Sequence, residues 1–343
     1  MRPEVNYFGL FYFTLTFTLI LNESIHTLAR MLKKLFVFLN LTAISLIGWS
    51  QGCSDAGFCT MGAMKPDQPF NKKMQLKLRS MEISFYRGTT TTTPVIYVAT
   101  ADLNFGITAR SSFQVKIPYL LVRSGNLGET EGISDLSLCY TRSLFSSERF
   151  DLNFSVGGKL PTNQSDKTSN KFPGEPLPMY YQTSLGTYDF ITGLSLINRK
   201  WLLATGIQIP MIHINNNSFD WTDFPDYPDQ DYIKTYSQSN QLKRGIDVML
   251  RVERNFRFSR LNFSAGLLPI YRITNDKITL AGEQVKPEGA KGLALSGIVT
   301  AGYNFNVQSG VKLLVGHKIV QRDKNPDGLT RELVSSISYY YRF

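Results

Sequence analysis

The sequence predicts an all-β chain that forms a transmembrane, antiparallel up-and-down β-barrel of about twelve strands, and three observations support this fold class. Apolar residues recur at every second position in many short segments between Met74 and Phe343. The connections between these segments alternate between long and short. The last segment ends the chain on an aromatic residue, Phe343. A two-residue period is typical of a strand with one apolar and one polar face.

The alternation is plainest in residues 150–156, where Phe, Leu, Phe and Val face away from Asp151, Asn153 and Ser155. It recurs in five further segments, residues 97–105, 113–121, 246–252, 261–267 and 311–315. In a soluble sandwich the apolar faces would meet in a core. In a membrane barrel they face lipid, and the polar faces line the lumen.

Loop lengths favour the membrane barrel. Membrane barrels have short periplasmic turns, longer outer loops and an even number of strands. Closure is required because an unpaired backbone group in hydrocarbon costs several kcal/mol. Long connections are predicted near residues 87–94, 124–132, 161–180, 215–242, 273–290 and 321–330, and short ones near 108–111, 145–148, 197–200, 255–259 and 305–309.

The amino terminus predicts export. A basic start at Met31, an apolar run over 35–49 and small residues before Gln51 match a secretory signal peptide. We therefore expect an upstream extension from a mispredicted start codon (1–30), a signal peptide (31–50) and the barrel (74–343), with 51–73 forming either a plug in the lumen or a periplasmic segment. Two alternatives remain, an anchor helix over 7–21 and a lipoprotein cysteine at Cys53.

Charge and cysteines agree with an exported protein. The net charge is +10, and the scattered basic residues fit solvated turns or anionic lipid better than nucleic acid, which is not expected as a partner. Cys53 and Cys59 are predicted to form a small disulfide loop. A metal site there is the rival interpretation, but no histidine lies nearby, and no metal or other cofactor is expected. Cys139 is expected to be a lone buried thiol.

Strand parity places six acids and six bases inside the barrel, although a register slip of one residue would invert any strand. Such balance favours a network of ion pairs that fills the lumen; a charge-selective constriction, the alternative, would need a ring of one sign. The candidates are Glu82, Asp102, Lys116, Asp135, Asp151, Lys159, Asp247, Arg251, Glu253, Lys312, Lys318 and Arg342.

The long connection at 215–242 interleaves acids with aromatic residues. An aromatic lid for apolar ligands, a calcium-binding cap and an inert ordered loop are the three interpretations. The lid candidates are Phe219, Trp221, Phe224, Tyr227 and Tyr232. Catalysis is not expected, because we find no paired nucleophile and base around His213 or His317.

The terminal strand, with Tyr339, Tyr341 and Phe343, resembles the closing strand of bacterial outer-membrane barrels, where the terminal aromatic strand is the signal read by the assembly machinery. This resemblance implies a bacterial outer-membrane location. It also implies the barrel-assembly machinery, outer-membrane lipid and lipopolysaccharide as partners.

A second resemblance covers roughly residues 130–210. Gly132-Ile-Ser-Asp-Leu136, Gly157-Gly-Lys-Leu-Pro-Thr162 and Leu185-Gly-Thr-Tyr-Asp-Phe190 resemble the meta-pathway phenol-degradation family, which is similar to fatty-acid and aromatic-hydrocarbon transporters. In that family a glycine commonly follows the proline at the strand end, whereas Thr162 and Asn163 follow it in this sequence. The related transporters also have more strands than the twelve predicted for this chain.

The family resemblance implies passive uptake of small apolar or aromatic ligands, with lateral escape where a strand is interrupted. Pro118 is the candidate for this gap because proline donates no backbone hydrogen bond. The alternatives are a structural or adhesive barrel that acts through its outer loops, and a general polar pore.

Overall fold

Strands make up most of the chain in the computed structural model, which describes residues 61–65, 78–89, 94–329 and 331–343. The fifteen strands in this part of the chain are β1 (Leu78–Thr89), β2 (Val95–Thr108), β3 (Ser111–Arg123), β4 (Thr130–Ile133), β5 (Leu136–Ser146), β6 (Phe150–Leu160), β7 (Thr187–Asn198), β8 (Trp201–His213), β9 (Asp247–Arg257), β10 (Leu261–Arg272), β11 (Ile278–Leu280), β12 (Glu283–Val285), β13 (Gly292–Asn304), β14 (Ser309–Val320) and β15 (Leu333–Arg342). The remaining elements are 3-10 turns at Gly62–Met64, Met179–Tyr181 and Trp221–Asp223 and one short helix, Gln230–Lys234.

The strands form a closed antiparallel barrel with twelve positions, as the sequence predicts. β4 and β5 both pair with β3 and together occupy one position as an interrupted strand. β15 pairs with β1, where Tyr341 lies opposite Met81, and this pairing closes the sheet. β11 and β12 form a separate hairpin inside a long loop. Among the described residues, no helix has the length and apolar character needed to cross a membrane.

Side chains on each strand alternate in the sense expected of a membrane barrel. On β7, Asp189, Ile191 and Ser195 are buried inside, whereas Phe190 and Leu194 each leave 41% of their surface exposed. Most large apolar side chains of the strands therefore point out of the barrel, and the inner face carries most of the polar side chains together with some apolar ones such as Ile191. This is the reverse of a soluble protein, and it gives the outer surface the apolar character that hydrocarbon requires.

Long and short connections lie at opposite ends of the barrel. The short turns span residues 109–110, 147–149, 199–200, 258–260 and 305–308, and the start of β1 and the end of β15 share this end. Barrels of this type place short turns and both termini on the periplasmic side. The long connections therefore form the outer loops, and their positions match those predicted from the sequence.

We predict that Leu267→Arg, on the lipid-facing side of β10, lowers the free energy of unfolding by about 2–4 kcal/mol, because the charge enters hydrocarbon. Urea unfolding in phospholipid bilayers measures this change. Val307→Arg is the matched control, since Val307 is 87% exposed in a periplasmic turn and we expect a cost of about 0–1 kcal/mol there. Equal costs at the two positions would contradict a lipid-facing Leu267.

Candidate functional site

A cavity of about 190 Å³ lies inside the barrel, against the inner faces of β1–β3, β14 and β15. Its outer half is lined by apolar side chains from the strands, including Val98, Leu120, Leu314 and Val334, and by the outer-loop residues Leu185, Asp327 and Arg331. Its inner half is lined by charged side chains. The part of the cavity wall that the strands provide is thus largely apolar in its outer half and charged in its inner half.

The charged half is built around Lys65. The Lys65 ammonium lies 2.7 Å from Oε2 of Glu82 and 2.8 Å from Oδ2 of Asp102. The amide of Gln114 also donates to Asp102, at 2.8 and 2.9 Å, and Lys312 lies 3.8 Å from Glu82. A charge from the segment before β1 is therefore neutralised by carboxylates on β1 and β2.

Residues 61–65 lie inside the barrel. The Gly62 N–H donates to Oε1 of Gln114 at 2.8 Å, and the Ala63 N–H donates to Oγ of Ser155 at 2.6 Å. Gly62 adopts φ +47°, a left-handed conformation that favours glycine. A Cβ on Gly62 would overlap Sγ of Cys139, a buried free thiol. The segment therefore covers Cys139 from the lumen.

Met64 occupies a notch in the barrel wall. Gly193 and Gly206 lie opposite each other on β7 and β8. A Cβ on Gly193 would lie 2.6 Å from Sδ of Met64, and one on Gly206 would overlap the same atom. Only glycine at both positions leaves room for the fully buried Met64 side chain. The notch thus fixes the depth at which residues 61–65 lie.

A buried ion network ties the outer loops to the strands. Arg272 on β10 is its centre, with its guanidinium 2.6 Å from Asp276, 2.7 Å from Asp247 and 2.7 Å from Asp327. Two outer-loop arginines extend it. Arg244 reaches Asp189 and Asp247 at 3.2 and 3.3 Å, and Arg322 reaches Asp276 and Asp327 at 3.4 and 3.3 Å. The network joins β7, β9 and β10 to three loops.

The pKa of Asp327 shows how strongly the network favours the ionised form of this carboxyl. Burial alone would raise the pKa of this carboxyl, but Arg272, Arg322 and Arg244 outweigh it and hold the pKa well below its usual range. A depressed pKa means that the carboxylate stabilises the folded loops above its unfolded pKa of about 4. That stabilisation is lost as the pH falls from there through the folded pKa.

Aromatic side chains cover the outer mouth. Phe219 and Phe224 are buried in a cluster with Tyr181, Tyr236 and inward-facing residues of the strands. The Tyr236 hydroxyl lies 3.2 Å from the Tyr181 hydroxyl. The backbone carbonyl of Tyr236 accepts a 2.7 Å hydrogen bond from the Trp221 indole. We call these loop residues, together with half-buried Tyr227 and Tyr232, the aromatic lid. The described residues contain no group of three or more His, Cys, Asp or Glu arranged to hold a metal ion.

The barrel wall is interrupted beside Pro118. The β3 ladder passes from β5 to β4 there, and the Ser134 N–H donates to the Pro118 carbonyl at 2.8 Å. Thr162 donates to the Ser134 carbonyl at 2.7 Å, and Asn163 donates to the Ile133 carbonyl at 2.9 Å. Side chains thus satisfy carbonyls of the interrupted strand. Thr162 and Asn163, which follow Pro161 in the sequence, perform this capping.

Asp135 closes the same interruption from the inside. Its carboxylate lies 3.0 Å from the Lys159 ammonium and accepts a 3.2 Å hydrogen bond from the Leu185 N–H. Leu185 belongs to the outer loop between β6 and β7, so this loop covers the inner side of the break. Pro118, Ser134 and Asp135 all line the cavity.

The predicted lumen residues take three positions. Glu82, Asp102, Lys116, Asp135, Lys159 and Lys312 line the cavity. Asp247, Arg251, Glu253 and Lys318 are buried elsewhere inside the barrel, where Arg251 lies 2.5 Å from Glu253. Asp151 and Arg342 are half-buried near the periplasmic end.

Strand parity missed part of the site. Arg244, Asp276, Arg322 and Asp327 lie in loops, which carry no period. Asp189 alternates with exposed Tyr188 and Phe190, so parity contained a signal for it that the prediction did not use. Tyr339 and Phe343, predicted as assembly residues, are 44% and 62% exposed on the outer surface, and Tyr341 is half-buried. Cys53 and Cys59 lie outside the described residues.

We predict that Gly206→Val expels Met64 from its notch and exposes Cys139. In a Cys53→Ser, Cys59→Ser background, maleimide labelling of Cys139 should be slow, and Gly206→Val should accelerate it at least severalfold. Gly302→Ala is the matched control, because a Cβ there makes ordinary contacts at 3.6 Å or more. Unchanged labelling of the Gly206→Val protein would show that residues 61–65 do not shield the thiol.

We predict that Asp327→Asn loosens the outer loops by about 3–5 kcal/mol, because it removes one buried carboxylate that Arg244, Arg272 and Arg322 share. Trypsin cleavage after exposed Lys324 measures this loosening. Asp323→Asn is the control, since Asp323 is exposed on the same loop. Acid should loosen the unmodified loops only below about pH 4; loosening already at pH 6 would contradict a depressed pKa at Asp327.

Comparison with known proteins supports the fold. No family model matches the sequence, and no curated protein matches it. An outer membrane channel from Pseudomonas putida F1 aligns with a TM-score of 0.54 at 10% identity, over 80% of this chain and 99% of that chain. The NanC porin aligns with a TM-score of 0.42 at 7% identity, over 78% and 100% of the two chains. The CymD monoaromatic hydrocarbon channel aligns with a TM-score of 0.39 at 10% identity, over 87% and 98%.

At such low sequence identity, the alignments show a similar fold and do not show a shared function. The closed twelve-position barrel, its apolar outer surface and the sorted loops agree with the first of these alignments. The protein is a β-barrel of the bacterial outer membrane.

Proposed function

We propose that the barrel is a channel for passive uptake of small apolar or aromatic compounds. The observation that carries this proposal is the apolar half of the internal cavity, which lies beneath the aromatic lid. Val98, Leu120, Leu314 and Val334 provide its wall. A polar pore would have no need of apolar side chains at this depth, whereas an apolar solute leaves water most readily where such side chains surround it.

The lid supplies the entry side of the proposed path. Aromatic rings offer large apolar faces, and the Phe219–Phe224 pair, with ring centres 6.1 Å apart, has no side-chain hydrogen bond to break when the rings move. The buried network anchors the surrounding loops. Entry therefore requires movement of the lid rings and leaves the anchored loop bases in place.

The interruption beside Pro118 supplies the exit side. Pro118 borders the cavity, and the Ile133 and Ser134 carbonyls beside it are capped by side chains of Asn163 and Thr162. Side-chain hydrogen bonds are separated more easily than a continuous strand ladder. A solute leaving here would pass sideways into lipid, which requires the Asp135–Lys159 ion pair at the inner side of the break to move.

The fold neighbour adds support for a transport role. The Pseudomonas putida F1 barrel is described as an outer membrane channel. The apolar character of the cargo rests on the cavity alone.

We predict that Leu314→Trp, which fills the apolar half of the cavity, lowers uptake of toluene into proteoliposomes at least fivefold. Leu313→Trp is the matched control, because the neighbouring Leu313 is 48% exposed on the lipid-facing side and uptake should be unchanged. Equal uptake by wild-type protein, both variants and protein-free liposomes would defeat the transport proposal. High conductance in planar bilayers, with no toluene uptake, would identify a general polar pore.

A structural or adhesive barrel is the second candidate, and the surface of the lid loop favours it. Asp226, Asp229 and Asp231 are exposed there. The triple variant Asp226→Asn, Asp229→Asn, Asp231→Asn leaves the buried lid residues in place. Loss of surface binding with unchanged toluene uptake would support adhesion as an added role, whereas adhesion without any uptake would replace the channel proposal.

A further inference from the structure

A groove of about 380 Å³ lies on the outside of the barrel at its periplasmic rim. The turn between β2 and β3 forms one side, and the end of β5 forms the other. Its lining includes Arg110, Ser111, Tyr140 and Arg142. Cys139 and Thr141 face the lumen, so Tyr140 and Arg142 on the same strand face outward. The groove therefore opens at the depth where lipid meets the periplasm.

The groove presents hydrogen-bond donors suited to an oxyanion. Arg110 and Arg142 are both exposed, and neither forms an ion pair with another described residue. The hydroxyls of Tyr140 and Ser111, which line the same groove, lie 2.9 Å apart. Guanidinium groups match phosphate oxygens with paired donors, and the hydroxyls add further donors.

The backbone holds Arg110 in place. Its N–H donates to Oγ1 of Thr108 at 3.2 Å, and its carbonyl accepts a 2.8 Å hydrogen bond from the Ser143 N–H. The second bond joins the turn directly to β5, which carries Arg142. The two arginines are thus attached to a common rigid edge.

A wider positive arc continues from the groove. Five further basic side chains lie on or beside the next three periplasmic turns, and none forms an ion pair with another described residue: Arg149, Arg199, Lys200, Arg254 and Arg260. Glu148 and Asp151 are the acids of the same turns and flanking positions. The periplasmic turns thus carry an excess of positive charge, whereas the outer loops expose acids such as Asp229 beside bases such as Lys234.

Arg254 shows that the arc faces lipid. Its guanidinium lies 4.8 Å from the ring centre of Trp201 and 5.8 Å from that of Phe256. Both rings are outward-facing, with 41% and 45% of their surfaces exposed. Aromatic rings mixed with basic residues are typical of a membrane interface. A soluble acidic partner would approach from below the turns and would not need cations at the level of these rings.

We propose that the groove between Arg110 and Arg142 binds the phosphate of an anionic phospholipid in the periplasmic leaflet. The positive arc concentrates such lipids along the neighbouring strands. The apolar edge of the groove, which includes Ile107 at 41% exposure, receives the start of the acyl chains. This assignment is independent of what the lumen transports.

Native mass spectrometry of the detergent-solubilised full chain, titrated with phosphatidylglycerol or phosphatidylcholine, tests the assignment. The wild-type protein should bind phosphatidylglycerol more tightly, and Arg110→Gln with Arg142→Gln should weaken that binding by roughly tenfold or more. Lys286→Gln with Lys291→Gln is the matched control, because it removes two exposed outer-loop charges and should leave binding unchanged.

Three results would overturn the assignment. They are equal phosphatidylglycerol affinity of the groove and control variants, equal wild-type affinity for the two lipids, and displacement of phosphatidylglycerol by an equal concentration of inorganic phosphate. Urea unfolding of each variant checks that the barrel is intact. If the groove variant is unstable, Arg110→Lys with Arg142→Lys keeps the charge and should restore most of the binding.

Discussion

Backbone N–H and C=O groups in hydrocarbon must all be hydrogen-bonded within the protein, and the other features of the molecule depend on this constraint. The sheet must close, and β15 therefore returns to β1. Closure assigns one face of each strand to lipid, and these faces carry the large apolar side chains. The polar side chains of the strands must therefore point into the lumen. The interior of this barrel is consequently rich in charge, and its stability depends on how those charges are paired.

Charge pairing is concentrated at the outer end. Arg272 contacts three aspartates, and two of them belong to loops. A buried ion pair is weak evidence for net stability, because desolvation offsets much of the attraction. Its directional contacts nevertheless select one arrangement of the loops. The aromatic lid lies over the loops that these ion pairs hold in place, and together they form a closed outer mouth. The lid rings themselves take no part in the ion pairs.

The cavity lies between this mouth and the segment at residues 61–65. Met64 fits a notch made by Gly193 and Gly206, and Lys65 supplies charge to the floor. The segment therefore contributes both shape and polarity to the site. The interruption at Pro118 borders the same cavity, and the Asp135–Lys159 ion pair closes it from the inside. The lumen thus combines a heavily charged wall with the apolar side chains on which the proposed uptake of apolar solutes depends.

The sequence by itself determined the strands, their inward and outward faces, the closed barrel of twelve positions and the sorting of its loops. These features follow from a two-residue period and from loop length, which are local properties. Parity also indicated inward positions for Lys159 and Asp135, but that these two side chains pair with each other was decided only by tertiary structure. The same holds for Arg244 and Asp327, which lie in loops without a period, and for the position of Met64. Contacts between segments far apart in the chain leave no local pattern, because they depend on how the closed barrel brings those segments together.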